Sequence, residues 1–160
     1  MLAMTGLVAV STLSGCDKAD DERIPSSAVY LPFTTGLWNV YGVAGAGSWG
    51  YYSKSQGEPQ GFPYAAMHET GFGGILLVTD YLGSPVAYSA ACPVERSNRF
   101  HLDVTDVEGK SVAMCPECGS TYDVFANQGT PLSGPAHEKK YALTRYKVTA
   151  NELYPVIVTD

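Results

Sequence analysis

The sequence predicts an all-β fold. Its 160 residues include 17 Gly and 10 Pro, which interrupt both helices and strands and therefore favour short elements separated by turns. Apolar runs of strand length recur between these turn residues, whereas no longer window has the apolar spacing of an amphipathic helix. A chain of this length is expected to form one domain with a hydrophobic core.

The individual strands are predicted from their apolar patterns. The run Ile75-Leu76-Leu77-Val78 is apolar on both faces, as in a central strand, and residues 145–149 alternate as in a half-buried strand. A turn at 150–152 is expected between the last two strands, and the Gly-rich stretch 41–61 is predicted to be a long loop. The predicted strands are 28–33, 75–79, 86–90, 112–115, 122–125, 142–149 and 153–159.

Charge and motif content exclude several classes of function. The chain has 10 Lys and Arg against 16 Asp and Glu, a formal net charge of −6, and it has no basic run of the kind that binds nucleic acid. It shows no Ser–His–Asp ordering, phosphate-binding Gly loop or paired-carboxylate signature. The sequence therefore predicts a binding or electron-transfer module rather than a catalyst.

The N-terminus has the features of a processing signal. Residues 1–15 are uncharged and mostly apolar, and they end in Leu13-Ser14-Gly15-Cys16, which resembles the lipobox of bacterial lipoproteins. The resemblance implies that residues 1–15 are removed and that Cys16 is lipidated, which anchors the protein to a membrane on the extracytoplasmic side of the cell envelope. Residues 16–24 are then expected to form a charged, solvated tether, and residues 25–160 the domain.

Three cysteines remain once Cys16 is assigned to the anchor. Cys92 lies in the turn Cys92-Pro93-Val94-Glu95, while Cys115 and Cys118 lie in the turn Cys115-Pro116-Glu117-Cys118. Each turn follows a predicted strand, as in metal sites that are built from two short cysteine-containing loops. The sequence therefore predicts that both turns approach one metal centre.

The second turn continues as Gly119-Ser120-Thr121-Tyr122-Asp123, and Gly134-Pro135-Ala136 follows it. In this order the motifs, within residues 74–159, resemble those of Rieske-type [2Fe–2S] domains. The resemblance implies stacked antiparallel sheets with a small cluster-binding subdomain at about residues 89–136. It also implies that Cys92 and Cys115 are ligands, that Ser120 and Tyr122 donate hydrogen bonds to sulfur, and that Pro135 belongs to a covering loop.

The chain departs from the Rieske pattern at both histidine positions. Rieske domains use Cys-x-His and Cys-x-x-His, whereas this sequence has Val94 and Cys118 at the two histidine positions. Three cysteines therefore have to find a fourth ligand. Glu95, which adjoins Val94, is one candidate, and His101 and His137 are more distant ones.

Three hypotheses for the site follow from these departures. In the first, Cys92, Cys115 and Cys118 hold a metal, either an irregular iron–sulfur centre or zinc, because Cys-Pro-Glu-Cys-Gly is also typical of zinc knuckles. Such a module is expected to act in envelope electron transfer with a redox partner protein. In the second, the scaffold persists in a binding or structural lipoprotein whose site is empty or oxidised to a disulfide. In the third, Cys115 and Cys118 form a redox dithiol, although a strand rather than a helix is predicted to follow them.

The remaining histidine and the aromatic residues are given structural roles. His68 has no neighbouring ligand in the sequence and is predicted to be a loop histidine. The aromatic residues Trp38, Tyr41, Trp49, Tyr51 and Tyr52 are expected to contribute to the core, as aromatic residues usually do in an all-β chain.

Overall fold

The computed structural model describes residues 19–160, of which 36% lie in strands and 9% in helices, so the all-β prediction is confirmed. The strands are β1 (Val29–Phe33), β2 (Trp49–Tyr52), β3 (Glu69–Thr70), β4 (Ile75–Thr79), β5 (Pro85–Ser89), β6 (Asp103–Val107), β7 (Lys110–Met114), β8 (Thr121–Asp123), β9 (Thr130–Ser133), β10 (Arg145–Thr149) and β11 (Val156–Thr159), and the helices are α1 (Thr35–Tyr41) and α2 (Gly134–Lys139).

The strands form two antiparallel sheets. The larger sheet has seven strands in the order β2-β4-β5-β10-β11-β1-β3, and the smaller one has four in the order β6-β7-β8-β9. The backbone N–H of Lys54, just after β2, donates to the Thr70 hydroxyl in β3 over 3.1 Å. The two edge strands of the larger sheet therefore approach each other, and this sheet is nearly closed.

Strand β4 separates two hydrophobic cores. Leu76 and Val78 belong to the core shared with the smaller sheet, whereas Ile75 and Leu77 belong to the core that the curled larger sheet encloses. All four side chains are fully buried, and each burial contributes roughly 2 kcal/mol. The prediction of a central strand that is apolar on both faces is confirmed. Cys92 and Cys115 lie in the core between the sheets.

The prediction of a continuous loop over residues 41–61 is wrong, because this stretch contains β2. Tyr52 is buried, and its ring packs edge-on against those of Phe33 and Phe62 at 5.2 and 5.7 Å. The aromatic side chains of β2 favour an extended, half-buried backbone despite the surrounding glycines. Trp38 also packs edge-on against Phe33, so it has the predicted core role, whereas Trp49 is 47% exposed.

Other differences from the predicted elements involve short segments. Helices α1 and α2 have seven and six residues, too few to produce a recognisable apolar period. Strands β3, β6 and β9 were not predicted either, because they are short or largely exposed. The connection between β10 and β11 is longer than the predicted three-residue turn, since β11 begins only at Val156.

The last part of the expected tether packs against the domain instead of extending into solvent. The Asp20 N–H donates to the Lys140 carbonyl over 2.8 Å, and the Asp20 carbonyl accepts from the Ala142 N–H over 2.9 Å. The Arg23 guanidinium lies 4.3 Å from the centre of the Tyr141 ring, and Ile24 is buried. The backbone hydrogen bonds of Asp20 and the burial of Ile24 thus hold this charged segment against the domain. Cys16 and residues 1–15 lie outside the described residues, and no helix within 19–160 is long and apolar enough to cross a membrane.

Candidate metal centre

The structure brings the three cysteines of the domain together. The sulfur atoms of Cys92, Cys115 and Cys118 all lie within 4.8 Å of one another, and those of Cys92 and Cys118 are 3.6 Å apart. All three are free thiols, of which two are buried and Cys118 is half-buried. Three close cysteines in this arrangement could hold a metal ion, with one edge of the site near the surface.

Strand ends place these cysteines. Cys92 lies three residues after the end of β5, and Cys115 directly follows β7. The loop that begins at Cys115 returns into β8, and the Cys115 N–H donates to the Ser120 carbonyl over 2.9 Å where the two strands diverge. Two neighbouring strand ends therefore present the two loops to each other, as the sequence predicts.

The two loops close with the same backbone hydrogen bond. In the first knuckle (residues 92–96) the Arg96 N–H donates to the Cys92 carbonyl over 2.8 Å, and in the second knuckle (residues 115–119) the Gly119 N–H donates to the Cys115 carbonyl over 3.0 Å. Arg96 and Gly119 both adopt left-handed φ angles, 51° and 68°. Glycine reaches this region without strain, whereas arginine does so at a cost of about 1–2 kcal/mol.

Backbone N–H groups point at the first sulfur of each knuckle. Val94 and Glu95 donate to the Cys92 sulfur, and Cys118 and Glu117 donate to the Cys115 sulfur. Such donors favour the thiolate over the thiol, because each stabilises negative charge on the sulfur. Both knuckles are therefore shaped to hold a thiolate.

The pKa values of the two buried thiols, Cys92 and Cys115, shift in opposite directions. A hydrogen bond from the Cys115 thiol lowers the pKa of Cys92, although burial of Cys92 opposes this effect. The same hydrogen bond, together with burial, raises the pKa of Cys115. These opposite shifts favour the thiolate at Cys92, and the thiolate is the form in which cysteine binds metals.

Two hydroxyl groups contact the sulfurs. The Tyr122 hydroxyl is 3.5 Å from the Cys92 sulfur, and the Ser120 hydroxyl is 3.2 Å from that of Cys118. Burial raises the pKa of Tyr122, and its hydrogen bond with Cys92 raises it further, so the phenol stays protonated and able to donate. The Ser120 oxygen accepts both the Ala136 N–H over 3.0 Å and the Cys118 thiol proton over 3.2 Å. Once Cys118 loses that proton, the Ser120 hydroxyl can donate its own proton to the thiolate.

Helix α2 supports Ser120 from the other side. Gly134 has a φ of +73°, and a Cβ atom there would lie 2.9 Å from the Ser120 Cα. Pro135 is half-buried near the start of α2, between the two residues that approach Ser120. Its predicted covering role stays a prediction. The sequence does not indicate the supporting role of Ala136, because every residue except proline carries the backbone N–H that donates to Ser120.

The other proposed ligands do not join the sulfur group. Glu95 is exposed, and within the described part of the chain only the three cysteines make up the group. His101 stacks on Tyr51 with ring centres 3.9 Å apart and lies 3.4 Å from Asp103, while His137 is exposed on α2.

His68 occupies a loop, as predicted, and has a structural partner. Its Nδ1 accepts the Ala65 N–H over 3.1 Å, and the side chain is buried. Burial and the neighbouring Lys54 ammonium lower the pKa of His68. A neutral imidazole that closes its own loop explains this residue without a ligand role.

No protein-family model, curated protein or solved structure matches this chain. Any function must therefore be argued from the site itself.

The spacing of the sulfurs matches that around one tetrahedral ion. A tetrahedral ion with metal–sulfur bonds near 2.3 Å holds its ligand sulfurs about 3.8 Å apart, close to the 3.6 Å between Cys92 and Cys118. A [2Fe–2S] cluster needs four ligands, with two on each iron at opposite sides of the cluster. Here Cys118, at the position of a second-iron ligand, lies beside Cys92, and residues 19–160 bring no fourth ligand to the sulfur group. The described residues therefore supply three of the four ligands that the two-iron cluster of the Rieske resemblance would need.

Proposed function

We propose that this protein is a lipid-anchored module of the cell envelope that holds a single metal ion on the thiolates of Cys92, Cys115 and Cys118. We further propose that its scaffold is a variant of the Rieske type and that, with iron bound, it transfers single electrons to a partner protein. The observation that carries the proposal is the convergence of three sulfurs within 4.8 Å at the tips of two similar knuckles. Fold alone does not determine function, so the weight rests on this site.

The surroundings of the sulfurs support a charged centre. Backbone N–H groups donate to the sulfurs of Cys92 and Cys115, and the Tyr122 hydroxyl lies within hydrogen-bond distance of the Cys92 sulfur. The Ser120 hydroxyl accepts from the Cys118 thiol and can donate to that sulfur once it is deprotonated. Donors around metal-bound thiolates offset their negative charge and, for iron, raise the reduction potential.

The partial burial of the site supports an electron-transfer role rather than a purely structural metal. Cys92 and Cys115 are buried against the core, whereas Cys118 is half-buried. A metal held by these residues is shielded from water on the side of the core. On the other side it lies close to the surface, beside the half-buried Cys118. Thiolate-bound iron in such a position supplies a reversible one-electron change, and the protein supplies the ligands and the hydrogen bonds.

Metal content tests the proposal directly. We expect the full chain, purified without oxygen, to contain one metal ion per molecule and no stoichiometric acid-labile sulfide. Cys115→Ser should lose the metal because it removes a central ligand, whereas Cys16→Ser, which removes a cysteine of the same chain but not of the site, should keep it. Two irons with two sulfides per chain would contradict the single-ion proposal, and a metal-free chain with a Cys92–Cys118 disulfide would support the oxidised alternative.

Lipidation is tested by mass spectrometry of protein isolated from bacterial membranes. We expect the mature chain to begin at Cys16 and to carry a diacyl or triacyl group, because Leu13-Ser14-Gly15-Cys16 resembles a lipobox. Cys16→Ser should leave an unlipidated precursor. A wild-type protein that retains residues 1–15 without modification would contradict the anchor and the localisation that depends on it.

A further inference from the structure

The two knuckles are equivalent position by position. Each starts with Cys-Pro, receives N–H groups from its third and fourth residues on the first sulfur, and closes with a hydrogen bond from its fifth residue to the first carbonyl. The fifth residue is left-handed in both. The equivalent pairs are Cys92 with Cys115, Pro93 with Pro116, Val94 with Glu117, Glu95 with Cys118, and Arg96 with Gly119.

This equivalence predicts which residues face a shared ion. The second knuckle contributes its first and fourth residues, Cys115 and Cys118, to the sulfur group. The first knuckle has the same backbone and contributes its first residue, Cys92. Its fourth residue is Glu95, which therefore lies at the position from which the second knuckle supplies a ligand.

We infer that the carboxylate of Glu95 is the fourth ligand, so that the site binds a divalent ion through three thiolates and one carboxylate oxygen. This inference rests on the proposed function and gives that site its complete ligand set. Carboxylate oxygen is an accepted ligand for zinc and for similar divalent ions, at metal–oxygen distances of about 2.0–2.2 Å. The Rieske histidine position in this loop, Val94, is half-buried against the core and offers no donor atom.

Binding through Glu95 requires its side chain to rotate toward the sulfurs. Its carboxylate lies outside the sulfur group and the residue is exposed, so no other packing has to be broken for it to turn inward. Ordering a glutamate side chain costs conformational entropy, which a metal–oxygen bond readily offsets. Binding of the ion would therefore fix the Glu95 side chain on the first knuckle.

Cobalt(II) binding to the full chain tests this inference, because thiolate ligands give intense sulfur-to-cobalt absorption and tetrahedral geometry gives characteristic visible bands. We expect Glu95→Ala to weaken cobalt binding by about tenfold or more. The matched control is Glu117→Ala, which removes an exposed carboxylate from the third position of the other knuckle, keeps the backbone N–H that donates to Cys115, and should leave affinity unchanged. Glu95→Cys should raise the sulfur-to-cobalt intensity by about one third, because four thiolates replace three.

The possible outcomes separate the two proposals. If the wild type binds cobalt through three thiolates and Glu95→Ala binds it equally well, the assignment of Glu95 is wrong while the metal site stands. If the wild type gives no sulfur-to-cobalt absorption, the proposed function itself fails. Circular dichroism shows whether Glu95→Cys is folded, and if it is not, the comparison of Glu95→Ala with Glu117→Ala decides alone.

Discussion

Saturation with zinc is expected to raise the melting temperature of the domain by about 8–16 °C. The unfolded chain has no preformed site, because Cys92 and Cys115 are brought together only by the ends of β5 and β7. A ligand that binds only the folded state stabilises it by about 4 kcal/mol at a concentration 1,000 times its dissociation constant. For a domain of this size each kcal/mol corresponds to about 2–4 °C. Thermal unfolding followed by circular dichroism, with and without zinc, measures the shift.

Cysteine variants show whether this stabilisation comes from the predicted site. Cys115→Ser should abolish the zinc-dependent shift, and Cys16→Ser should retain it in full. A chelator should return the wild type to its metal-free melting temperature. A shift of equal size in Cys115→Ser would mean that zinc stabilises the domain through other residues, and the three cysteines would then lose their assigned role.

Gly134→Ala is expected to destabilise the domain by about 3 kcal/mol. At this position φ is +73°, where an alanine costs about 1–2 kcal/mol, and the new Cβ would meet the Ser120 Cα at 2.9 Å and its N at 3.2 Å. Because these neighbours are backbone atoms, α2 has to move away, which adds about 1–3 kcal/mol. Unfolding in urea measures the change in free energy.

Gly109→Ala is the matched control for this substitution. Gly109 has a similar φ of +80°, in the tight turn between β6 and β7, but nothing lies within 4 Å of its added Cβ. It should therefore show only the backbone cost of about 1–2 kcal/mol. Gly134→Ala should also weaken cobalt binding by about tenfold, because it displaces the Ser120 hydroxyl from the Cys118 sulfur. Equal losses of stability in the two variants would show that α2 is not tightly packed on Ser120.

The sequence predicts those elements of the fold whose residue types reflect their burial. Residues 75–79 form β4 with the predicted bounds, because only a strand buried on both faces tolerates so many consecutive aliphatic side chains. The convergence of Cys92, Cys115 and Cys118 followed from the Cys-Pro turns after two strands. By contrast, β3 has two residues and β9 is largely exposed, so neither carries an apolar signal.

The details of the site depend on contacts that sequence patterns do not encode. The Ser120 hydroxyl is aligned by the Ala136 N–H, and any residue except proline would supply that group. Glu95 was recognised as a neighbour of Val94, but its equivalence with Cys118 became apparent only from the matching hydrogen bonds of the two knuckles. The sequence also suggested a free tether, since backbone pairing at Asp20 is independent of its charge.

The docking of Asp20 has a consequence for how the domain is oriented at a lipid bilayer. If Cys16 carries the lipid as proposed, only four Cα-to-Cα steps separate it from Asp20, a reach of at most about 14 Å. Asp20 pairs beside Lys140, one residue beyond the end of α2, and the same helix contacts Ser120 through Ala136. The bilayer surface would then lie within that reach of the C-terminal end of α2, so any partner that contacts this end of the helix would have to approach it along the membrane surface.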